Sequence, residues 1–259
     1  MEELILKLQT EDPDKQKEIF DNILLLITDI DPVIAQKQAK RLLNLTKKIP
    51  DLYCYNHVLL FYARYGSYEE QKNNAKASIL LAEQRNDLLL KAKSYGRLSE
   101  IYKENLQYDS MIILLFKARD IFRTLGDKKN EVNMLHDLGN IYFVAGLLDK
   151  AEYCFKEVYK LRGDLAAWKE WRKFVITNNF GLIESKRSNY DKAIFYYLKA
   201  LNDMLADKNN IMGFSDSVRM VYLYSTLSEF YFTKKNMTVH GYIFQRHKNL
   251  IQFINILTL

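Results

Sequence analysis

The residues best suited to chemistry in this 259-residue chain are few and scattered. His240 and His247 lie seven residues apart, which puts both on one side of a helix, as a metal pair would be. No carboxylate stands near enough in sequence to complete a ligand set, so they read as surface histidines, and His57 and His136 stand alone. Cys54 and Cys154 are a hundred residues apart and neither belongs to a Cys-x-x-Cys pair, so they read as reduced thiols. There is no phosphate loop, no Gly-x-Ser-x-Gly elbow and no His-Glu-x-x-His helix. The tripeptide Arg162-Gly163-Asp164 falls in a link and is read as chance. No enzyme, no metal and no cofactor is expected, which leaves binding as the class of function.

Composition favours helices as the positioning elements. Only 9 Gly and 3 Pro occur, too few for the turns of a strand-rich fold, while 18 Tyr and 14 Phe supply bulk for packing. No uncharged apolar run is long enough to cross a bilayer, and the start lacks a basic leader followed by an apolar stretch. The expectation is a cytoplasmic chain with no membrane partner. The net charge of +6 permits weak attraction to anions without demanding it. Segment 218–259 carries Arg219, Lys234, Lys235, Arg246 and Lys248 against Glu229 alone, but shows no helix-turn-helix unit. Nucleic acid is not an expected partner of this chain by itself.

A repeat organises the chain. "LSEIY" at 98–102, "LGNIY" at 138–142, "FGLIE" at 180–184 and "LSEFY" at 227–231 are copies of one pattern, with "VLLFY" at 58–62 a weaker one. The small residue of each copy, Ser99, Gly139, Gly181 or Ser228, recurs every 40 to 47 residues, the mark of stacked units. Seven residues after it come "LQYDSM", "GLLDKA" and "SNYDKA", which read as turns. A second amphipathic run follows each, with apolar spacing of three and four. Asp149 and Asp191 open two of these runs, at the positive end of the helix dipole. Gly139 with Ala151, and Gly181 with Ala193, fit places where two helices cross closely, with Tyr142, Phe155 and Tyr197 filling the space beside them. A mid-helix Gly costs about 1 kcal/mol relative to Ala, so its presence asks for a packing reason.

Leu138, Gly139, Tyr142, Gly146, Ala151 and Phe155, then Gly181, Tyr190, Ala193, Tyr197 and Ala200, carry a resemblance to the tetratricopeptide repeat, here of a long-period type found in bacterial signalling and regulatory proteins. The resemblance implies an all-α, right-handed superhelical solenoid of stacked antiparallel helix pairs. Residues 1–51 are expected to form a degenerate or capping pair, with helix starts at Asp12-Pro13 and Asp31-Pro32 and small residues Ala35 and Ala39 at packing spacing. Residues 52–232 hold the repeats, and 233–259 an apolar last helix that caps the stack, packs on a second copy of the chain, or leads into a longer one.

In such repeats the first helix of each pair lines a concave groove. Its inward positions here are Lys93, Arg97, Glu100 and Lys103; then His136, Asn140 and Phe143; then Asn178, Asn179, Leu182 and Ser185, with Asn56 and Arg64 from the weak first unit. Asn donates and accepts together and so can hold the backbone of an extended peptide. Lys93 and Arg97 also resemble the basic pair of carboxylate-clamp tetratricopeptide domains, although Leu60 stands where that clamp would want Asn. Trp168 and Trp171, three apart, either pack between repeats or anchor a ligand. The reading is a non-enzymatic module that binds a protein or peptide ligand in its groove. The alternatives are the sensor part of a regulator whose output domain lies outside this chain, and a scaffold or homodimer held by the C-terminal helix.

Overall fold

The computed structural model describes residues 31–46, 62–64, 66–162, 173–205 and 214–233, together with Leu59, Gln245, Lys248 and single positions between 3 and 26. Asn56, the tryptophans, Cys54, His57, His240, His247 and the expected last helix beyond 233 lie outside the described residues, apart from those two isolated C-terminal positions. Among the described residues the regular elements are all helices: α1 Pro32–Thr46, α2 Tyr68–Gln84, α3 Leu88–Glu104, α4 Tyr108–Thr124, α5 Lys128–Val144, α6 Leu148–Arg162, α7 Lys173–Lys186, α8 Tyr190–Leu205 and α9 Phe214–Thr233.

The helices start where local chemistry favours them. Pro32 opens α1, and the Asp31 carboxylate accepts from Val33 N at 2.9 Å and Ile34 N at 3.3 Å. Ala35 and Ala39 are fully buried, as their spacing suggested. Ser67 and Glu70 form a reciprocal capping box at the start of α2, with Ser67 N donating to Glu70 Oε2 at 2.9 Å. The Asp87 carboxylate accepts from Leu90 N at 2.9 Å at the start of α3.

The turns explain the long period. The residues Gly66, Asn86, Leu106, Gly126 and Gly146 all have positive φ and recur every 20 residues, with Ser188 doing the same job after α7. The next residue closes the preceding helix and opens the following one. Asp87 N donates back to Ala82 O at 2.9 Å, and Lys91 N then donates to Asp87 O at 3.0 Å. Gln107, Leu147 and Asn189 repeat both bonds. From α2 to α5 each helix is 17 residues long, so a helix plus its link makes a half-unit and two make the 40-residue repeat.

One of these turn residues is poorly suited to its backbone. Leu106 has φ 57° and is 71% exposed, so it carries left-handed strain without burying its side chain. The strain costs about 1–2 kcal/mol, and roughly half is offset by the greater freedom of Gly in the unfolded chain. Leu106→Gly is therefore expected to raise the melting temperature by about 1–3 °C. Thermal unfolding followed by circular dichroism checks it; a lower midpoint would mean that Leu106 contributes packing its exposure does not reveal.

By their contacts, residues 1–138 and 139–259 form two compact units, the boundary falling within α5. In the first, α2 packs on α3 and α3 on α4. Small residues line the α2–α3 contact: Ala75, Ala82 and Ala92 are fully buried, and Ser78 and Ser94 share a buried hydrogen bond of 2.8 Å. Tyr95, Leu98, Ile101, Leu114, Ala118 and Phe122 continue the core. In the second, α6 packs on α7, α7 on α8 and α8 on α9. Its core gathers Phe174, Ala193, Tyr197, Ala200, Leu223 and Leu227.

The two mid-helix glycines sit at close crossings. A Cβ on Gly139 would lie 2.6 Å from Phe155 Cε1, and one on Gly181 would lie 2.7 Å from Tyr197 Cε1. Both rings are almost fully buried. The same contact is thus made in successive repeats, by Phe in one and Tyr in the next.

Candidate functional site

The expected site residues all lie on the first helices, α3, α5 and α7. In the unit ending at Leu138, α3 presents Lys93, Glu100 and Lys103 as exposed residues, with Arg97 half-buried between them. Arg97 is committed to structure. Its Nε and Nη2 donate to Ala63 O at 3.1 and 3.0 Å, and Nη1 donates to Glu100 Oε2 at 2.6 Å. It ties α3 to the chain entering α2 and fixes the Glu100 carboxylate, so its fork is taken up by protein groups.

His136, from α5, belongs to the same neighbourhood, because the charges of Lys103 and Glu100 reach this turn. Its neighbour Asp137 has no place in the repeat pattern. The Asp137 Oδ1 lies 4.0 Å from His136 Nδ1. Burial, helped by the Lys103 charge, pulls the imidazole from an ordinary 6.5 to about 4. Burial pushes the Asp137 carboxyl from 3.8 to about 6; Glu100 adds to the rise and Lys103 opposes it. Sequence offered no signal for this, since burial of a polar position on a first helix depends on neighbouring helices.

These two shifts act oppositely on stability. Between pH 6.5 and 4 the unfolded chain protonates His136 and the folded chain does not, so acidification removes stability. Between pH 6 and 3.8 the folded chain protonates Asp137 and the unfolded chain does not, so acidification adds stability. Relative to the wild type, Asp137→Asn should lose stability more steeply as pH falls from 6 to 4, and His136→Gln less steeply. Denaturant midpoints at pH 4, 5, 6 and 7 decide it; parallel profiles for all three proteins would contradict the burial of the pair.

In the unit beginning at Gly139, Asn140 and Phe143 sit half-buried on the end of α5, and Lys186 Nζ from α7 stands 6.0 Å from the Phe143 ring centre. On α7, Asn178, Leu182 and Ser185 are half-buried, whereas Asn179 is buried. Asn178 is unusual: its Oδ1 is sealed from solvent and, among the described residues, accepts no hydrogen bond. Ser185 hydrogen-bonds the buried Tyr197 hydroxyl, whose pKa burial raises. Asn179 and Ser185 thus have partners inside the fold.

A charged cluster that sequence reasoning missed stands at the end of α7. Arg187 Nη1 donates to Glu152 Oε2 at 2.7 Å and Glu184 Oε1 at 3.0 Å, and Nη2 to Asp149 Oδ1 at 2.5 Å. Asn189 Nδ2 donates to the second oxygen of the buried Glu184 at 2.9 Å. The Lys156 hydrogen bond, with that of Arg187, holds Glu152 below its ordinary range against the opposing effect of burial. The cluster joins α6 to α7. Among the described residues no group of His, Cys, Asp and Glu could hold a metal, and no helix is long and apolar enough to cross a membrane.

No protein-family model matches the chain, and no curated protein does. Solved structures do. BtubC (BKLC) from P. vanneervenii superposes with a TM-score of 0.70 at 15% identity, covering 91% of this chain and 92% of that one. A tetratricopeptide repeat protein from Parabacteroides merdae gives 0.59 at 13% identity over 92% of this chain and 86% of its own. A Rap protein complexed with Competence and Sporulation Factor gives 0.57 at 13% identity, covering 96% of this chain and 68% of that one. These likenesses, with the paired helices and the Gly–aromatic crossings, make this an all-α chain with the fold of the tetratricopeptide-repeat solenoids.

Proposed function

We propose that the chain is a non-enzymatic binding module that takes an extended segment of a protein or peptide along the polar side of its first helices. The observation that carries this reading is the fold, shared with a Rap protein solved in complex with Competence and Sporulation Factor, together with the half-buried polar side chains Asn140 and Asn178 on the first helices α5 and α7. An Asn amide donates and accepts together and so can hold the backbone of an extended segment. A Rap protein of this fold in complex with Competence and Sporulation Factor supports the same kind of use. Lys93 and Arg97 do not favour a carboxylate clamp, because the Arg97 fork is already held by Ala63 O and Glu100.

Selection from a random displayed nonapeptide library tests the reading. The wild-type chain should enrich particular peptides, and Asn178→Ala should bind them about tenfold more weakly, the loss of roughly one good hydrogen bond. Its melting temperature should not fall, since the Asn178 side-chain oxygen accepts no hydrogen bond among the described residues. Failure of the wild type to enrich any peptide, or equal binding by the variant, would overturn the proposal.

A further inference from the structure

The second helices α4, α6 and α8 each expose one large apolar residue at the same register. Fourteen positions after the small residues Ser99, Gly139 and Gly181 stand Ile113, Tyr153 and Phe195, which are 56%, 61% and 61% exposed. Each lies two residues past a buried one, Met111, Ala151 or Ala193. Two residues turn a helix by about 200°, so the side chain leaves on the side away from the core. Packing within the chain gives no reason for bulk there, and large apolar residues held in solvent mark contact surfaces.

On α8 the surroundings of this residue are symmetric in position and opposite in charge. Asp191 lies four residues before Phe195 and Lys199 four after it, so the three share one face. Leu198, 41% exposed, widens the apolar centre. The Phe195 ring stands edge-on to Tyr196 with centroids 5.4 Å apart, and Tyr196 packs at 5.6 Å on Phe180 of α7. The exposed ring is thus supported from below. A two-fold axis through Phe195 matches such a face to itself. With a second copy laid antiparallel on the first, Phe195 meets Phe195, and Asp191 of each copy falls opposite Lys199 of the other. A parallel arrangement would set like charges against each other.

We propose that the outer face of α8 is a surface for a second copy of this chain. Two α8 helices pack antiparallel about Phe195 and Leu198, with an Asp191–Lys199 pair at each end. The contact leaves the first helices uncovered, so it is independent of the binding role proposed above. A contact centred on one helix per copy is small, which places the dimer at the weak end of specific interfaces.

Sedimentation equilibrium of the full chain tests it, with circular dichroism melting to confirm that each variant folds. The wild type should pass from monomer to dimer between about 1 and 200 μM. Phe195→Glu should weaken the dimer by about tenfold or more, since it sets two charges against each other at the axis. Asp191→Lys alone and Lys199→Asp alone should each weaken it by about tenfold. The two together should restore it to within about threefold of wild type, because the pairs re-form with their signs exchanged. A loss of helix stability in either single variant would not produce that rescue. A wild type that stays monomeric across the range, a dimer indifferent to Phe195→Glu, or a double variant as weak as the single ones would each overturn the proposal.

Discussion

Gly139→Ala should destabilise the chain by about 1–2 kcal/mol, although Ala is the better helix former. The new Cβ would lie 2.6 Å from Phe155 Cε1 and within 2.9 Å of two more ring carbons. Phe155 cannot yield easily, because its ring is fully enclosed in the core. Overpacking of this kind costs about 1–3 kcal/mol, and the helix propensity of Ala returns at most about 1 kcal/mol. The geometry decides the sign. A second change, Phe155→Leu, should restore stability in the Gly139→Ala background while costing stability in the wild type. Such coupling marks a direct contact. Urea unfolding of the four proteins measures it; additive losses would mean that the crossing is looser than 2.6 Å implies.

Arg187→Met should cost about 2–3 kcal/mol, more than a surface ion pair would. The Arg187 side chain is only 23% exposed and its guanidinium serves three carboxylates from α6 and α7. Asp149 is almost wholly in solvent and contributes little. Glu184 is buried and would keep only the Asn189 donor, so most of the loss comes from leaving that charge under-matched. The same cluster sets an acid limit. Glu152 is held below its ordinary 4.5, so its contribution is complete above that pH and disappears as pH falls further. Arg187→Met should accordingly shrink the difference from wild type when unfolding is repeated below pH 4. A constant difference across pH would place the loss in packing of the Arg stem.

The sequence announces the repeat because packing is periodic. Gly139 and Gly181 stand out in helices that would otherwise reject Gly, and the crossings with Phe155 and Tyr197 are where that exception leads. Asp31-Pro32 marks the start of α1 for an equally local reason. The 20-residue half-period is harder to see, because its turn residue is Gly at 66, 126 and 146 but Asn at 86 and Leu at 106. The backbone keeps the turn while the side chain drifts, so residue type hides it. The candidate site is legible only as a row. Spacing places Lys93, Arg97, Glu100, His136, Asn140 and Asn178 on first helices, but it cannot tell which are already engaged. Arg97 reaches Ala63, 34 residues back, and Arg187 reaches Asp149, 38 residues back. Bonds of that span belong to tertiary structure and leave no periodic trace. Asp137 is hidden for the same reason, since its distinguishing feature is burial beside another helix.

The proposed binding face lies on the first helices. A photo-crosslinking amino acid at Lys93 or Lys103, both exposed on the first helix α3, tests this against the same probe at Tyr153 or Phe195, each 61% exposed on the second helices α6 and α8. The four labelled chains would be illuminated in cell lysate and their adducts compared. A shared adduct from Lys93 and Lys103, absent at Tyr153 and Phe195, is the expected result. Adducts from the second-helix positions alone would place binding on the other face.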